Sequence, residues 1–336
     1  MDSNKGRGMI GRRNFLTGSV GLTAALSAGG FNAGLAHAAT PARSPVVLPN
    51  AETWDMTSKF TGRTYRIYVA KPMTAEAEAP PKEGYPVLYL TDGDFNFNTA
   101  ADALMMQSIG REARPAYVVG IGYGKDWQTA SRTRCADLLP FPPDSATLAS
   151  LEASPLTKGA TYGEAESFHR FMIEELRPRI EAAYPTNHSD ASLLGHSFGG
   201  LFALYVLFNH PEAYRTYLVN SPSINWSNGA ILKQEARLTA PVAAGKVPLR
   251  VLLTAGEYEE KLAEHVKLYP GVTREQMQAM LTAFGMITNA RALADRLKAL
   301  KAPAGSEVEA VIFERETHLS VLPAAISRGL RFALAP

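Results

Sequence analysis

Only one cysteine occurs in the 336 residues. That excludes an intramolecular disulfide and any metal site built from several cysteines, and Cys135 reads as a packed, inert thiol. An excess of charge is missing too. Lys and Arg total 34 against 32 Asp and Glu, a formal net charge of +2. The small surplus belongs to residues 1–38, which hold four basic side chains and one acidic; the remainder carries 30 against 31. A near-neutral remainder offers no basic stripe, so no nucleic-acid partner is expected. Long apolar runs are also scarce. Residues 15–31 come nearest, but glycine interrupts them and they make no stable membrane span.

What is present begins with a segment unlike the rest. Lys5, Arg7, Arg12 and Arg13 form a basic start, residues 15–31 are rich in small side chains, and Ala36-His37-Ala38 fits a cleavage signal before Ala39. Gly11-Arg12-Arg13-Asn14-Phe15-Leu16 resembles a twin-arginine export motif, with Gly11 where Ser or Thr is usual. Residues 1–38 are therefore expected to send the chain to the periplasm or the exterior and to be removed near Ala38. The alternatives are a retained anchor or a spurious match in a cytoplasmic protein. Twin-arginine export carries folded proteins, which agrees with a chain that forms no disulfide.

At 46% hydrophobic content the chain can bury a substantial core, and its length permits one large α/β domain or two small ones. Residues 39–55 read as a lead-in. Residues 63–69 alternate as a half-exposed strand, while 86–90, 117–122 and 249–254 are continuous apolar runs, the pattern of strands covered on both faces. Residues 215–220 and 307–313 add strands. Helical patterns occupy 99–111, 164–183 with a kink at Pro178, 201–209, 275–299 and 321–334. Met277 and Met280 read as packing. His169 and His188 read as satisfied or solvated, beside no other ligand type at a convincing spacing, so no metal site is expected. Residues 123–163 contain Trp127, Arg132, Arg134, Asp137 and prolines 140, 142 and 143, and are expected to form an irregular lid, rim or loop. Residues 227–245 form a second insertion. The alternation predicts a single α/β domain over 39–336, with a mostly parallel central sheet and helices on both faces.

Chemistry concentrates at the strand ends. Ala191-Ser192-Leu193-Leu194 runs into Gly195-His196-Ser197-Phe198-Gly199-Gly200 and then a helical segment, the strand–turn–helix context in which G-x-S-x-G places a nucleophile. A serine hydroxyl is weak at neutral pH and needs a base. His318, in Glu316-Thr317-His318-Leu319-Ser320 just after the last strand, is the first candidate. His196 points away on an elbow, and His210 and His265 are weaker rivals. The acid that holds the histidine should follow the strand ending at Gly256, where Glu257, Glu259 and Glu260 compete. Glu259 is the first choice and Glu257 the runner-up. Backbone N–H groups of Phe198 and Asp94 are expected to hold the oxyanion, with the Asp94 carboxylate turned away. Arg132, Arg134 and Trp226 are candidate rim contacts for substrate, with a salt-bridged or solvated loop as the alternative for the arginines. The order serine, acid, histidine is that of an α/β-hydrolase.

The same motifs, with Tyr89-Leu90-Thr91-Asp92-Gly93, Arg134-Cys135-Ala136-Asp137-Leu138-Leu139-Pro140 and Ser221-Pro222-Ser223-Ile224, resemble the putative-esterase family of α/β-hydrolases. That family includes enterochelin-esterase-like and periplasmic trilactone esterases and, more distantly, the esterase D type. The resemblance covers about residues 55–334. It implies an α/β-hydrolase fold and a serine esterase acting on carboxylic or thiol esters through an acyl-enzyme, including catecholate-siderophore lactones. It also implies Ser197 as nucleophile, His318 as base, backbone donors at Phe198 and Asp94, and no cofactor. The aromatic pair common after Ser-Pro-Ser-Ile is reduced here to Trp226, preceded by Asn225. A serine acyltransferase or peptidase on the same fold is the second reading, and a non-catalytic binding protein the third. The expected partner is a small-molecule ester.

Overall fold

Among the described residues, eight strands hydrogen-bond into one sheet in the order β1-β2-β4-β3-β5-β6-β7-β8. They are β1 Ala51–Thr57, β2 Thr64–Ala70, β3 Tyr85–Leu90, β4 Tyr117–Gly122, β5 Thr186–His196, β6 Thr216–Asn220, β7 Arg250–Gly256 and β8 Glu307–Phe313. β2 runs antiparallel to both β1 and β4, and every pairing from β4 to β8 is parallel. The computed structural model describes residues 44, 46–73, 79–124, 126–268 and 270–336. The chain divides into two units, Met1–Val46 and Val47–Pro336. The expected export segment and its cleavage point lie outside the described residues. Among the described residues no helix is long and apolar enough to cross a membrane.

The helices are α1 Gly93–Ile109, α2 Trp127–Leu138, α3 Ser145–Ala153, α4 Ala165–Arg170, α5 Arg177–Ala183, α6 Phe198–Asn209, α7 Trp226–Gly229, α8 Ala236–Ala243, α9 Arg274–Phe284, α10 Met286–Lys298 and α11 Leu322–Ala333. Strand side chains alternate between faces, which explains the continuous apolar runs. Leu88, Leu90, Val118, Leu194, Leu218 and Leu252 pack with Phe97 and Leu104 of α1 and Ile326 and Leu330 of α11. Their sequence neighbours Val87, Tyr89, Val119, Leu193, Val219 and Val251 join the opposite layer, with Phe168, Phe202, Leu238 and Leu293. Each fully buried Leu or Phe contributes about 1.5–3 kcal/mol, so the double-sided cover fixes the sheet that carries the site.

Several sequence readings need correction. Residues 51–57 belong to an edge strand, not a lead-in. α1 begins at Gly93, well before the expected residue 99. Residues 123–163 are not an irregular excursion: α2 and α3 lie inside them, each started by an aspartate. Asp126 accepts from the Thr129 N–H at 3.0 Å and Asp144 from the Thr147 N–H at 2.9 Å, satisfying donors that open every helix. Residues 227–245 are also largely helical. At Pro178 the expected kink takes the form of a wide π-type turn over Phe171–Leu176, because the ring removes a donor and crowds the preceding turn. The helical pattern of 275–299 is two helices, broken where Gly285 takes φ 56°. Met277 is buried as expected, whereas Met280 is exposed.

α2 is anchored to β2 by a buried ion pair. Arg63 Nη2 lies 2.5 Å from Asp137 Oδ1 and 2.8 Å from Glu164 Oε2, and the Tyr65 hydroxyl donates to the same Asp137 oxygen at 3.1 Å. Burial pushes the Asp137 carboxyl up to about 7, with Arg63 opposing the rise. Cys135, on the same helix, is buried, and burial pushes its thiol up to about 11, which agrees with an inert role.

Candidate active site

The turn from β5 into α6 is built by exclusion of side chains. A Cβ on Gly195 would lie 1.9 Å from the Gly199 carbonyl oxygen, so the chain can double back only over glycine. Between them Ser197 sits at φ 60° and ψ −116°, a strained conformation for a residue with a side chain. Its N–H donates to the Asn220 carbonyl at 3.0 Å, and its carbonyl accepts from Leu201 at 3.0 Å and Ser223 at 3.2 Å. These bonds hold the strained backbone between β6 and the first turn of α6. Phe198 is the first residue of that helix, so its N–H has no intrahelical acceptor.

Glu259 lies in the short turn after β7 and is 2% exposed. Its Oε2 is 2.7 Å from His318 Nδ1. Its Oε1 accepts from the Gly256 N–H at 2.7 Å and the Ser221 hydroxyl at 2.6 Å. A second tie, from the Tyr258 N–H to the Glu316 carbonyl at 2.8 Å, joins the turn of Glu259 to the loop that carries His318. The other two glutamates are engaged elsewhere. Glu257 accepts from the Arg315 N–H at 2.8 Å, and Glu260 accepts from the Thr288 N–H and hydroxyl at 2.6 and 2.9 Å. Because a carboxylate only accepts, His318 donates from Nδ1 and its Nε2 is left as the basic nitrogen.

His318 reaches the elbow across β6 and β7. Its ring lies against that of His196, the residue before Ser197, with centroids 4.6 Å apart. Among the hydrogen bonds of the described residues none joins His318 to Ser197; such contacts are often loose without substrate and tighten in the reacting complex. His196 is buried, and neither ring nitrogen has a hydrogen-bond partner. Burial, reinforced by His318, holds its proton affinity well below the ordinary imidazole range. His196 therefore stays neutral and places no second cation beside a protonated His318.

At the neighbouring strand end, Asp94 is the second residue of α1, and its N–H is likewise free of an intrahelical acceptor. Its carboxylate takes the Tyr68 hydroxyl at 2.7 Å and the N–H groups of Tyr123 and Gly124 at 2.6 and 3.2 Å. The negative charge is thus turned toward β2 and the loop after β4, the orientation expected from the sequence. Gly93 makes the approach possible, since a Cβ there would lie 2.9 Å from the Gly120 carbonyl carbon.

Of the three candidate rim residues, Arg134 takes the salt-bridged alternative and Trp226 is buried. Arg134 makes a two-point pair with Asp92, at 2.9 and 2.8 Å, and its Cζ lies 5.1 Å from the Phe198 ring centroid. Burial works against its charge, and Asp92 outweighs the burial, so the guanidinium stays protonated. Trp226 is 6% exposed, donates to the Phe141 carbonyl at 2.9 Å and packs edge-on against Phe198, beneath the surface. Arg132 bonds the Pro155 carbonyl at 3.4 Å, on the side facing α3. Ser221, Asp92 and His196 were not anticipated in these positions. The signal for Ser221 was its place at the end of β6 in Ser-Pro-Ser, and its φ of 42° supports a constrained role.

The comparisons agree with this architecture. The family model described as "Putative esterase" matches residues 58–286. The chain is similar to ferri-bacillibactin esterase BesA of Bacillus subtilis (strain 168), with 36% identity over 86% of this chain and 91% of that protein. It is similar to the siderophore triacetylfusarinine C esterase of Aspergillus fumigatus, with 30% identity over 85% and 94% of the two chains. Among solved structures, the BES protein from Bacillus cereus superposes with a TM-score of 0.72 at 30% identity, covering 88% of this chain and 100% of that one. The strained serine, the mostly parallel sheet and these relatives converge: the chain belongs to the "Putative esterase" family of α/β-hydrolases and is an ester-cleaving serine hydrolase.

Proposed function

We propose that the chain opens the ester bonds of a siderophore, with Ser197 as nucleophile, His318 as base and Glu259 as the acid behind it. The observation that carries the site assignment is the 2.7 Å bond from His318 Nδ1 to a carboxylate that is itself buried and held from two sides. His318 Nε2 takes the Ser197 proton as Oγ attacks the carbonyl carbon. The N–H groups of Phe198 and Asp94 receive the oxyanion. The imidazolium then protonates the leaving alcohol, and water repeats the sequence to release the acid. The siderophore substrate is supported by the names of two relatives that cover most of this chain, a ferri-bacillibactin esterase and a triacetylfusarinine C esterase.

Mass spectrometry of products tests the substrate class. Purified protein is given ferric bacillibactin, ferric triacetylfusarinine C, enterobactin and short nitrophenyl esters and thioesters. The expected result is hydrolysis of at least one siderophore with kcat/KM about tenfold or more above the simple esters, a gap of about 1.4 kcal/mol in transition-state binding. Turnover of the simple esters alone would leave a general carboxylesterase.

We also propose export through a twin-arginine-type signal followed by cleavage. The support is the basic start, the small-residue stretch and Ala36-His37-Ala38. Protein recovered from the periplasm or medium of an expressing bacterium should begin at or near Ala39 on N-terminal sequencing. Recovery of exported protein beginning at Met1 would defeat the cleavage.

A further inference from the structure

α6 has chemistry at both ends. His210 follows its last turn, about 20 Å from Ser197 at 1.5 Å per residue. There α6 meets α4, which carries Glu166 and His169 one turn apart on the same face. One potential donor atom from each of Glu166, His169 and His210 lies within 4.8 Å of the other two. His210 Nε2 is 2.9 Å from Glu166 Oε2, and the His169 and His210 ring centroids are 4.6 Å apart. The sequence reading of His169 as satisfied or solvated is overturned. The side chain is 4% exposed, and its Nε2 is buried without a hydrogen-bond partner. A buried imidazole nitrogen in that state is uncommon, because each such group forfeits its interaction with water.

The geometry points to a divalent zinc-type ion held by Glu166, His169 and His210, with water completing a tetrahedron. Two imidazoles and one carboxylate are a zinc donor set, whereas calcium and magnesium prefer oxygen alone. Zinc takes its nitrogen and oxygen ligands at about 2.0–2.2 Å, so the three side chains need to close only modestly around it, the Glu166–His210 hydrogen bond giving way to two metal bonds. The same Glu166 oxygen that faces His210 also accepts from the Tyr205 hydroxyl at 3.0 Å, which fixes its orientation. Entry is open from solvent: the side chains of His210 and Glu166 are 32% and 46% exposed. Arg177, the neighbouring cation, is engaged by the Ala213 carbonyl at 2.7 Å and stacks over the Tyr214 ring. The ion would tie α4 to the end of α6, on the side of the molecule away from the ester-cleaving site.

The full chain, stripped with EDTA and dialysed, is titrated with zinc chloride by calorimetry, and bound metal is counted by mass spectrometry. Cobalt(II) replaces zinc in a parallel sample to report tetrahedral geometry through its visible bands. The expected result is one ion per chain, a tetrahedral cobalt spectrum and a Tm raised by about 3 °C or more at saturating zinc. His210→Ala and Glu166→Gln should each weaken binding about tenfold or more, while His188→Ala, at an exposed histidine elsewhere, should not. Wild-type protein that fails to bind a stoichiometric ion overturns the proposal. So does zinc that survives both substitutions, which would place it outside this cluster. The readout is independent of ester turnover, so failure of the substrate assignment leaves this test unaffected.

Discussion

Ser197→Ala is expected to lower kcat on an activated ester by about 10⁴- to 10⁶-fold while leaving the folded state nearly unchanged. The loss is large because the variant has no atom to form the acyl-enzyme, and His318 then has no proton to move. What remains is the polarisation supplied by the N–H groups at Phe198 and Asp94, which act on a bound carbonyl whether or not the serine is present. Stability should barely change for a separate reason. Ser197 Oγ makes no hydrogen bond among those of the described residues, and the strain at φ 60° is the same for alanine as for serine. The bonds that hold the turn run through the Ser197 N–H and carbonyl, which alanine keeps. A fluorophosphonate probe should label the wild type at Ser197 and miss the variant, and melting curves should overlay within about 2 °C. Retention of turnover within about tenfold of wild type would remove Ser197 from the chemistry.

Much of the sheet was legible because its central strands are buried on both faces and leave continuous apolar runs such as 86–90 and 117–122. β1 escaped because it is an edge strand with exposed or half-exposed side chains, so its apolar residues Ala51, Trp54 and Met56 form no continuous run. α2 and α3 escaped for a different reason. α2 is polar and α3 is short, both lie near prolines, and their beginnings rest on Asp126 and Asp144, single capping residues that composition hides. Ser197 and His318 were readable as candidates from local motifs: Ser197 stands in a tight turn after the buried end of β5, and His318 in a short turn after the half-exposed β8. Among three glutamates in four positions, spacing beyond Gly256 placed Glu259 first and Glu257 second without excluding either. The ranking depends on which side chain the turn after Gly256 folds inward, and that is set by the tie between Tyr258 and Glu316 far along the chain. Glu166 and His169 are visible as an i, i+3 pair, but their neighbour His210 is brought in only by the packing of α4 on α6.

Glu259→Gln is expected to lower kcat by about 10³- to 10⁴-fold, and Glu257→Gln by no more than about threefold. The difference follows from which groups surround each carboxylate. Glu259 Oε1 faces the Gly256 N–H, a donor fixed in the backbone that cannot be turned into an acceptor, along with the Ser221 hydroxyl. A glutamine at 259 must therefore keep its carbonyl oxygen toward Gly256, which directs its NH₂ at His318 Nδ1. The histidine can meet that NH₂ only as an acceptor, so its proton moves to Nε2, the nitrogen that should receive the proton from Ser197. The variant thus enforces the wrong tautomer with little change of shape, and it also withdraws the charge that offsets the imidazolium. At position 257 the carboxylate accepts from the Arg315 N–H on an exposed loop, a bond glutamine reproduces with its carbonyl oxygen. Rates on a nitrophenyl ester, with melting curves to exclude unfolding, separate the two variants. A ring ¹⁵N spectrum of His318 should show the proton on Nδ1 in the wild type and on Nε2 in Glu259→Gln. If Glu257→Gln proves the more damaging, or the tautomer is unchanged in Glu259→Gln, the acid is not Glu259.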